Sequence, residues 1–184
     1  SNHYYVIRSA HPQMTGYVAQ LKDGLVVPTK VEAPVTTDEN PTILWQLIRQ
    51  EDGNFVLMNK ADKKYAVVRN ASSGESIVEN STPYAWQLRY RKTNDISGFL
   101  IMAGTSNYGW YLPSNPVATT RVSLRIANQW NNYWKLEPTA VPTGLDRSPL
   151  FQEATGTTYD LSGRVATPHQ RGVVIDAAGH KQVR

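Results

Sequence analysis

Three tripeptides decide the fold of this chain: Trp45-Gln46-Leu47, Trp86-Gln87-Leu88 and Trp134-Lys135-Leu136. Their tryptophans are 41 and 48 residues apart. Each tripeptide closes a stretch that opens on a short run of aromatic and aliphatic residues, and these runs are Tyr5-Val6-Ile7, Phe55-Val56-Leu57-Met58 and Phe99-Leu100-Ile101-Met102. A period of this size is typical of folds built from repeats, in which one unit cannot bury its apolar face alone.

The repeats have the pattern of β-strands. A second apolar run follows each opening aromatic after 10 to 12 residues, at Tyr17-Val18, Tyr65-Ala66-Val67 and Tyr111-Leu112. A third run lies at 25–27, 75–78 and 122–126, and turn-forming residues separate the runs. Each repeat is therefore predicted to hold about four strands, so that three repeats give twelve strands with pseudo-threefold symmetry.

The repeated tryptophans allow two interpretations. An aromatic ring can stack on a sugar, but Trp45, Trp86 and Trp134 each share a strand face with the leucine two residues later. They also recur with the symmetry, as core residues do. We predict that all three are buried, because a large aromatic contributes most to stability when it is buried.

With this number and spacing of repeats, the chain resembles the ricin-type, lectin-like branch of the β-trefoil superfamily over about residues 4 to 137. The resemblance implies an all-β trefoil at 1–137, with repeats at about 4–50, 54–91 and 98–137. Sugar-binding members carry an aspartate on the second strand and a glutamine two residues before the closing tryptophan. The positions that match the aspartate are Ala19, Val67 and Pro113, and those that match the glutamine are Ile43, Tyr84 and Asn132. The galactose-type sites of the family are therefore expected to be absent.

The third repeat is unusually rich in aromatic and amide residues. Exposed aromatics beside amides are typical of shallow sugar sites. The candidate ligand-binding residues are Asn107, Tyr108, Trp110, Trp130, Asn131 and Asn132. The alternative is that Trp110 and Trp130 pack beneath a long loop.

The composition excludes several functions. The 184 residues include no cysteine, which rules out disulfides and a cysteine nucleophile, and the four histidines are isolated. We expect no catalytic residues, metal or cofactor. The net charge of +4 comes from basic residues that are mostly scattered, with Lys60, Lys63 and Lys64 as one close cluster. Neither nucleic-acid binding nor a membrane span is expected.

The amino-acid composition changes after residue 137. Residues 138–157 begin with the composition of a linker, and a short β tail is predicted at 158–184. The stretches Thr158-Tyr159-Asp160-Leu161-Ser162-Gly163-Arg164-Val165 and Gly179-His180-Lys181-Gln182-Val183-Arg184 resemble the C-terminal tails of exported Bacteroidetes proteins. The resemblance implies a periplasmic, cell-surface or secreted protein. Whether the tail is a sorting signal or a packed structural element stays open.

Three functions are compatible with these features. The leading hypothesis is a non-catalytic carbohydrate-binding accessory module of an exported Bacteroidetes protein, with a glycan and other domains of a larger glycan-degrading chain as partners. The second is a structural or protein-interaction trefoil that does not bind sugar. The third is a protein inhibitor that acts through a protruding loop.

Overall fold

The structure is a computed structural model, which describes residues 3–32, 35 and 40–139 and the backbone of three short strands beyond them. The chain divides into two units, Ser1–Pro142 and Thr143–Arg184. The strands of the first unit are β1 (Tyr5–Ser9), β2 (Tyr17–Lys22), β3 (Leu25–Lys30), β4 (Leu44–Arg49), β5 (Phe55–Asn59), β6 (Tyr65–Val67), β7 (Val78–Asn80), β8 (Trp86–Lys92), β9 (Ser97–Ala103), β10 (Tyr108–Tyr111), β11 (Ser123–Ile126) and β12 (Trp134–Pro138). Two 3-10 helices, η1 (Pro41–Ile43) and η2 (Trp130–Asn132), precede β4 and β12.

Six of these strands close into a barrel. β1 pairs with β12 and β4, β4 pairs with β5, β5 with β8, β8 with β9, and β9 with β12, always antiparallel. The other six form the hairpins β2–β3, β6–β7 and β10–β11, one in each repeat. A closed ring leaves the barrel without exposed sheet edges. The predicted β-trefoil of three four-stranded repeats is confirmed.

A ring of three backbone hydrogen bonds marks the threefold axis. The amide of Val26 donates to the carbonyl of Ile77 at 2.9 Å, Ile77 donates to Val122 at 3.1 Å, and Val122 donates back to Val26 at 2.9 Å. All three side chains are fully buried. Each repeat thus satisfies a buried amide of another, as buried backbone groups require.

The three repeated tryptophans are buried in the core, as predicted. Trp45, Trp86 and Trp134 are at most 1% exposed. Each indole N–H donates to a carbonyl on the second strand of its own repeat, and the acceptors are Ala19 at 2.9 Å, Ala66 at 2.8 Å and Trp110 at 3.2 Å. The core therefore satisfies the one polar side-chain atom of each of these three tryptophans.

The strand register corrects the predicted alignment of the second strands. Val18 pairs with Arg8, Tyr65 with Met58, and Gly109 with Met102. Tyr17 and Tyr111 are therefore not equivalent to Tyr65. The position two residues beyond each of these equivalent residues is taken by Gln20, Val67 and Tyr111 rather than by Ala19, Val67 and Pro113. The register still places no carboxylate there.

Gly98 is where β9 passes closest to β12. A Cβ at this position would lie 2.8 Å from the carbonyl oxygen of Trp134 and 3.3 Å from the Cβ of Ala10. We expect Gly98→Ala to lower the free energy of unfolding by about 1–3 kcal/mol, because a backbone atom cannot move aside without disturbing the barrel. Urea denaturation measures the change. Gly16→Ala is the matched control, because Gly16 has open space around its Cβ position. Gly53 also has open space, but its positive φ would add backbone strain to an alanine. Equal losses for Gly98→Ala and Gly16→Ala would contradict the prediction.

The second unit contains a three-stranded antiparallel sheet. Its strands are β13 (Tyr159–Asp160), β14 (Val173–Ile175) and β15 (Lys181–Val183), with β14 in the centre. Tyr159 pairs with Ile175, and Ile175 pairs with Lys181. The remainder of the predicted tail and residues 140–157 of the predicted linker lie outside the described residues.

Candidate functional site

Trp110 is a core residue, which corrects its predicted place in a sugar site. Its side chain is 0% exposed. Its indole stands nearly perpendicular to those of Trp45, Trp86 and Trp134, with ring centroids 6.3, 5.6 and 6.1 Å away. The equivalent positions in the other repeats hold Ala19 and Ala66, whose carbonyls accept the same kind of indole hydrogen bond. One large side chain therefore occupies the centre that the two alanines leave free.

Asn132 is also buried, so its predicted contact with a ligand is corrected in the same way. It is 0% exposed. Its Nδ2 donates to the carbonyl of Trp110 at 3.1 Å, and its Oδ1 accepts from the backbone amide of Gln129 at 3.3 Å. The side chain thus joins β10 to the start of η2. Asn132 is a positioning residue that fixes how η2 presents its first residue.

Trp130 is the exposed aromatic of the third repeat. It is the first residue of η2, and 44% of its surface is exposed. The His11 ring packs against the indole in an edge-to-face arrangement, with centroids 5.9 Å apart. The backbone carbonyl of Trp130 accepts from the amide of Tyr133 at 3.1 Å. Trp130 is therefore a fixed aromatic surface, the type of group on which a pyranose ring stacks.

Asn131 holds the turn that follows β10. Its Nδ2 donates to the carbonyl of Leu112 at 2.6 Å and to Oγ of Ser114 at 3.2 Å. The backbone amide of Leu112 donates in return to the carbonyl of Asn131 at 3.1 Å. The side chain is half-buried. Asn131, predicted as a ligand contact, thus fixes the 112–116 turn beside Trp130.

The 112–116 turn contributes to two grooves. The first, the Tyr111 groove, is lined by Tyr111, Pro113, Arg125 and Gln129 and has a volume of about 310 Å³. Gln129 directly precedes Trp130, which places the groove beside the exposed indole. Arg125 reaches Oγ of Ser73 at 3.2 Å. A phenol, an amide and a guanidinium line this groove, so it offers both donors and acceptors to sugar hydroxyls.

The second groove, the Tyr17 groove, lies between the first repeat and the same turn. Its volume is about 620 Å³, and its lining includes Gln13, Tyr17, Lys30, Glu32 and Asn115. Nζ of Lys30 lies 5.4 Å from the centre of the Tyr17 ring. The backbone amide of Gln13 donates to Nδ1 of His11, the residue that contacts Trp130. Trp130 is thus joined to the Tyr17 groove through His11 and to the Tyr111 groove through its neighbour Gln129.

Asn107 and Tyr108 lie apart from these grooves. They are at the beginning of β10, and Tyr111 ends that strand about 10 Å further along. Asn107 is exposed, whereas Tyr108 is half-buried and packs against the main core. Neither residue lines the Tyr111 groove or the Tyr17 groove. Of the six predicted site residues, Trp130 and Asn131 lie in η2 next to Gln129 of the Tyr111 groove, although neither lines a groove itself.

Two further features, a cluster of metal ligands and a membrane-spanning helix, are absent from the described residues. Within them, no three histidines, aspartates or glutamates come together as metal ligands would. In the same part of the chain, no helix is both long and apolar enough to cross a membrane.

The fold defines the first unit as a β-trefoil, with an aromatic and amide-rich surface in its third repeat. No protein-family model matches the chain, and no curated protein matches it in sequence. Solved structures do match its fold. A ricin B-like lectin of Macrolepiota procera, in complex with lactose, has a TM-score of 0.63 at 16% identity over 74% of this chain and 96% of that chain. The Rhizoctonia solani agglutinin has a TM-score of 0.60 at 20% identity, over 73% and 94%.

A third structural neighbour is an enzyme that releases GlcNAcα1-4Gal, an endo-β-galactosidase of Clostridium perfringens. The TM-score is 0.55 at 16% identity. The match covers 76% of this chain but 33% of that enzyme. At these identities the three comparisons show the β-trefoil fold.

Proposed function

We propose that the first unit is a non-catalytic carbohydrate-binding module and that Trp130 is the centre of its site. The observation that carries the proposal is the exposed indole of Trp130, which packs against His11 and follows Gln129 of the Tyr111 groove. The aromatic face binds the C–H face of a sugar ring, while Tyr111 and Gln129 exchange hydrogen bonds with its hydroxyls. The lectin folds of the structural neighbours support this assignment by analogy.

The proposed site differs from a carboxylate-centred sugar site. Gln20, Val67 and Tyr111 occupy the equivalent second-strand positions, so recognition of vicinal hydroxyls by an ionised acceptor is not available there. Amide and phenol groups form weaker, neutral hydrogen bonds than carboxylates do. We therefore infer that stacking on Trp130 supplies most of the affinity.

Replacing Trp130 with alanine tests the proposal. We expect Trp130→Ala to weaken binding about tenfold or more on an array of neutral glycans, because a central aromatic contributes about 2 kcal/mol to binding. Tyr90→Ala is the matched control, since Tyr90 is an exposed aromatic, 59% exposed, on another part of the barrel. It should leave neutral-glycan binding unchanged. If the wild-type protein binds no neutral glycan, a structural or protein-interaction role becomes the better assignment.

We also propose that the chain is an accessory module of an exported Bacteroidetes protein that degrades glycans. The tail at 158–184 supports export through its sequence resemblance. The match to one third of a longer galactosidase is an example of a trefoil within such an enzyme. Fractionation of cells that express the full protein with and without residues 158–184 tests the location. An intracellular location of both forms would refute export.

A further inference from the structure

The second half of β8 carries three positively charged residues within four positions: Arg89, Arg91 and Lys92. All three side chains are exposed. The ion pairs found among the described residues join Arg8 to Glu137 and Lys64 to Glu79, so none of the three belongs to one. Arg89 donates to Oε1 of Gln87, a neutral acceptor on its own strand. The positive charge of this segment is thus available to a partner.

The cations stand on a rigid support. β8 pairs with β9 along its whole length, from Trp86 opposite Ala103 to Lys92 opposite Ser97. Tyr90, which is 59% exposed, packs edge-to-face on Phe99 with ring centroids 5.3 Å apart. Because this pairing holds the backbone of β8 in place, little conformational entropy of the backbone is lost on binding.

The charge extends across β9. Phe99 pairs with Trp134 of β12, and the next residue, Lys135, is exposed. Alternation along β8 directs Arg89 and Arg91 to one face and Lys92 to the other. The carboxylate nearest in sequence is Asp95, in the turn after β8. The β8–β9 hairpin therefore carries a clear excess of positive charge, with Arg89 and Arg91 on one face and Lys92 beside the exposed Tyr90 on the other.

We propose that the β8–β9 hairpin is a docking surface for an anionic polysaccharide that bears sulfate or carboxylate groups. Arginine forks bind such oxyanions through paired, charge-assisted hydrogen bonds, and the clustered charge attracts a polymer that presents many of them. Nucleic acid fits less well, because single-stranded binders stack successive bases on several aromatics and this hairpin exposes one. The proposal is independent of the neutral-sugar site at Trp130.

Heparin serves as the probe polysaccharide for a direct test. We expect the triple variant Arg89→Gln/Arg91→Gln/Lys92→Gln to bind heparin about tenfold more weakly at low salt. The slope of log Kd against log NaCl should fall by about two, because fewer counterions are released. The matched control, Arg69→Gln/Arg121→Gln/Lys22→Gln, removes the same exposed charges elsewhere and should change the affinity less than about twofold.

Three outcomes would overturn the proposal. They are no heparin binding by the wild type, equal losses in the hairpin and control variants, and tighter binding of single-stranded DNA than of heparin at equal ionic strength. Amide hydrogen exchange of the wild type gives a readout that does not depend on a variant. Heparin should slow exchange in residues 87–97 and leave the Trp130 region unchanged, whereas a neutral glycan should protect the Trp130 region alone.

Discussion

Replacing Trp110 with alanine is expected to lower the free energy of unfolding by about 3–5 kcal/mol, the range for a fully buried aromatic. Trp110 has no exposed surface and contacts all three repeated indoles, so its removal opens a cavity on the threefold axis. Alanine at this position restores the residue type of Ala19 and Ala66. The variant would make the three repeats more alike at this position but less stable, because the core has space for one large side chain that alanine would leave empty.

Chemical denaturation of two further variants makes this test specific. Trp130→Ala should change stability by less than about 1 kcal/mol, since its indole is 44% exposed. Trp110→Phe should lose less than half as much as Trp110→Ala. The Nε1 of Trp110 is buried without a hydrogen-bond partner among the described residues, so phenylalanine removes an unsatisfied donor while it keeps an aromatic ring. If Trp110→Ala costs no more than Trp130→Ala, the central role of Trp110 is wrong.

The fold could be predicted because its determinants are local and repeated. Each closing tryptophan lies on a strand whose alternation is visible in the sequence, and three copies reinforce one another. The register of the second strands could not be predicted in the same way. Tyr17, Tyr65 and Tyr111 suggested an alignment, but barrel pairing makes Val18 and Gly109 equivalent to Tyr65. Strand register depends on contacts between strands, which residue identity alone does not reveal.

The proposed site keeps Trp130 from the sequence prediction and adds Tyr111, and strand alternation explains why Trp110 does not belong to it. Tyr108, Trp110 and Leu112 share the inward face of β10, and Tyr111 faces the groove. The alternation of inward and outward side chains along 108–112 is visible in the sequence. It indicates Tyr111, and not Trp110, as the residue that faces outward. The Tyr17 groove had no such signal, because it combines residues that are about 100 positions apart in sequence.

The spacing of basic residues in the sequence does not show which positive charges are available to a partner. Lys60, Lys63 and Lys64 lie close together in the sequence, yet each is engaged in the structure. The first two lie over the Tyr4 ring at 5.2 and 5.4 Å, and Lys64 pairs with Glu79, which raises the pKa of Lys64 through a hydrogen bond. Availability of charge depends on tertiary partners. Arg89, Arg91 and Lys92 are also close together in the sequence, but only the structure shows that they are exposed and outside the ion pairs of the described residues.

Loss of the Arg8 side chain is expected to have the second largest effect on stability. Arg8 is 4% exposed, and its Nε donates to Oε2 of Glu137 at 2.7 Å. One terminal nitrogen, NH1, donates to the carbonyls of Thr15 at 3.2 Å and Val31 at 2.6 Å. We expect Arg8→Met to lower the free energy of unfolding by about 2–4 kcal/mol. The reason is that methionine keeps the packing but leaves two carbonyls without their donor.

A double-mutant cycle separates the ion pair from the carbonyl contacts. Glu137→Gln should cost about 1–2 kcal/mol, less than Arg8→Met, because the Glu137 side chain is 34% exposed and its amide replacement still accepts from Nε. The double variant should lose less than the sum, since Arg8→Met already removes the contact that Glu137→Gln weakens. Lys64→Met is the control: its pair with Glu79 is more exposed, so about 0–1 kcal/mol is expected. Equal losses for Arg8→Met and Lys64→Met would mean that the Arg8 network adds no more stability than a surface ion pair.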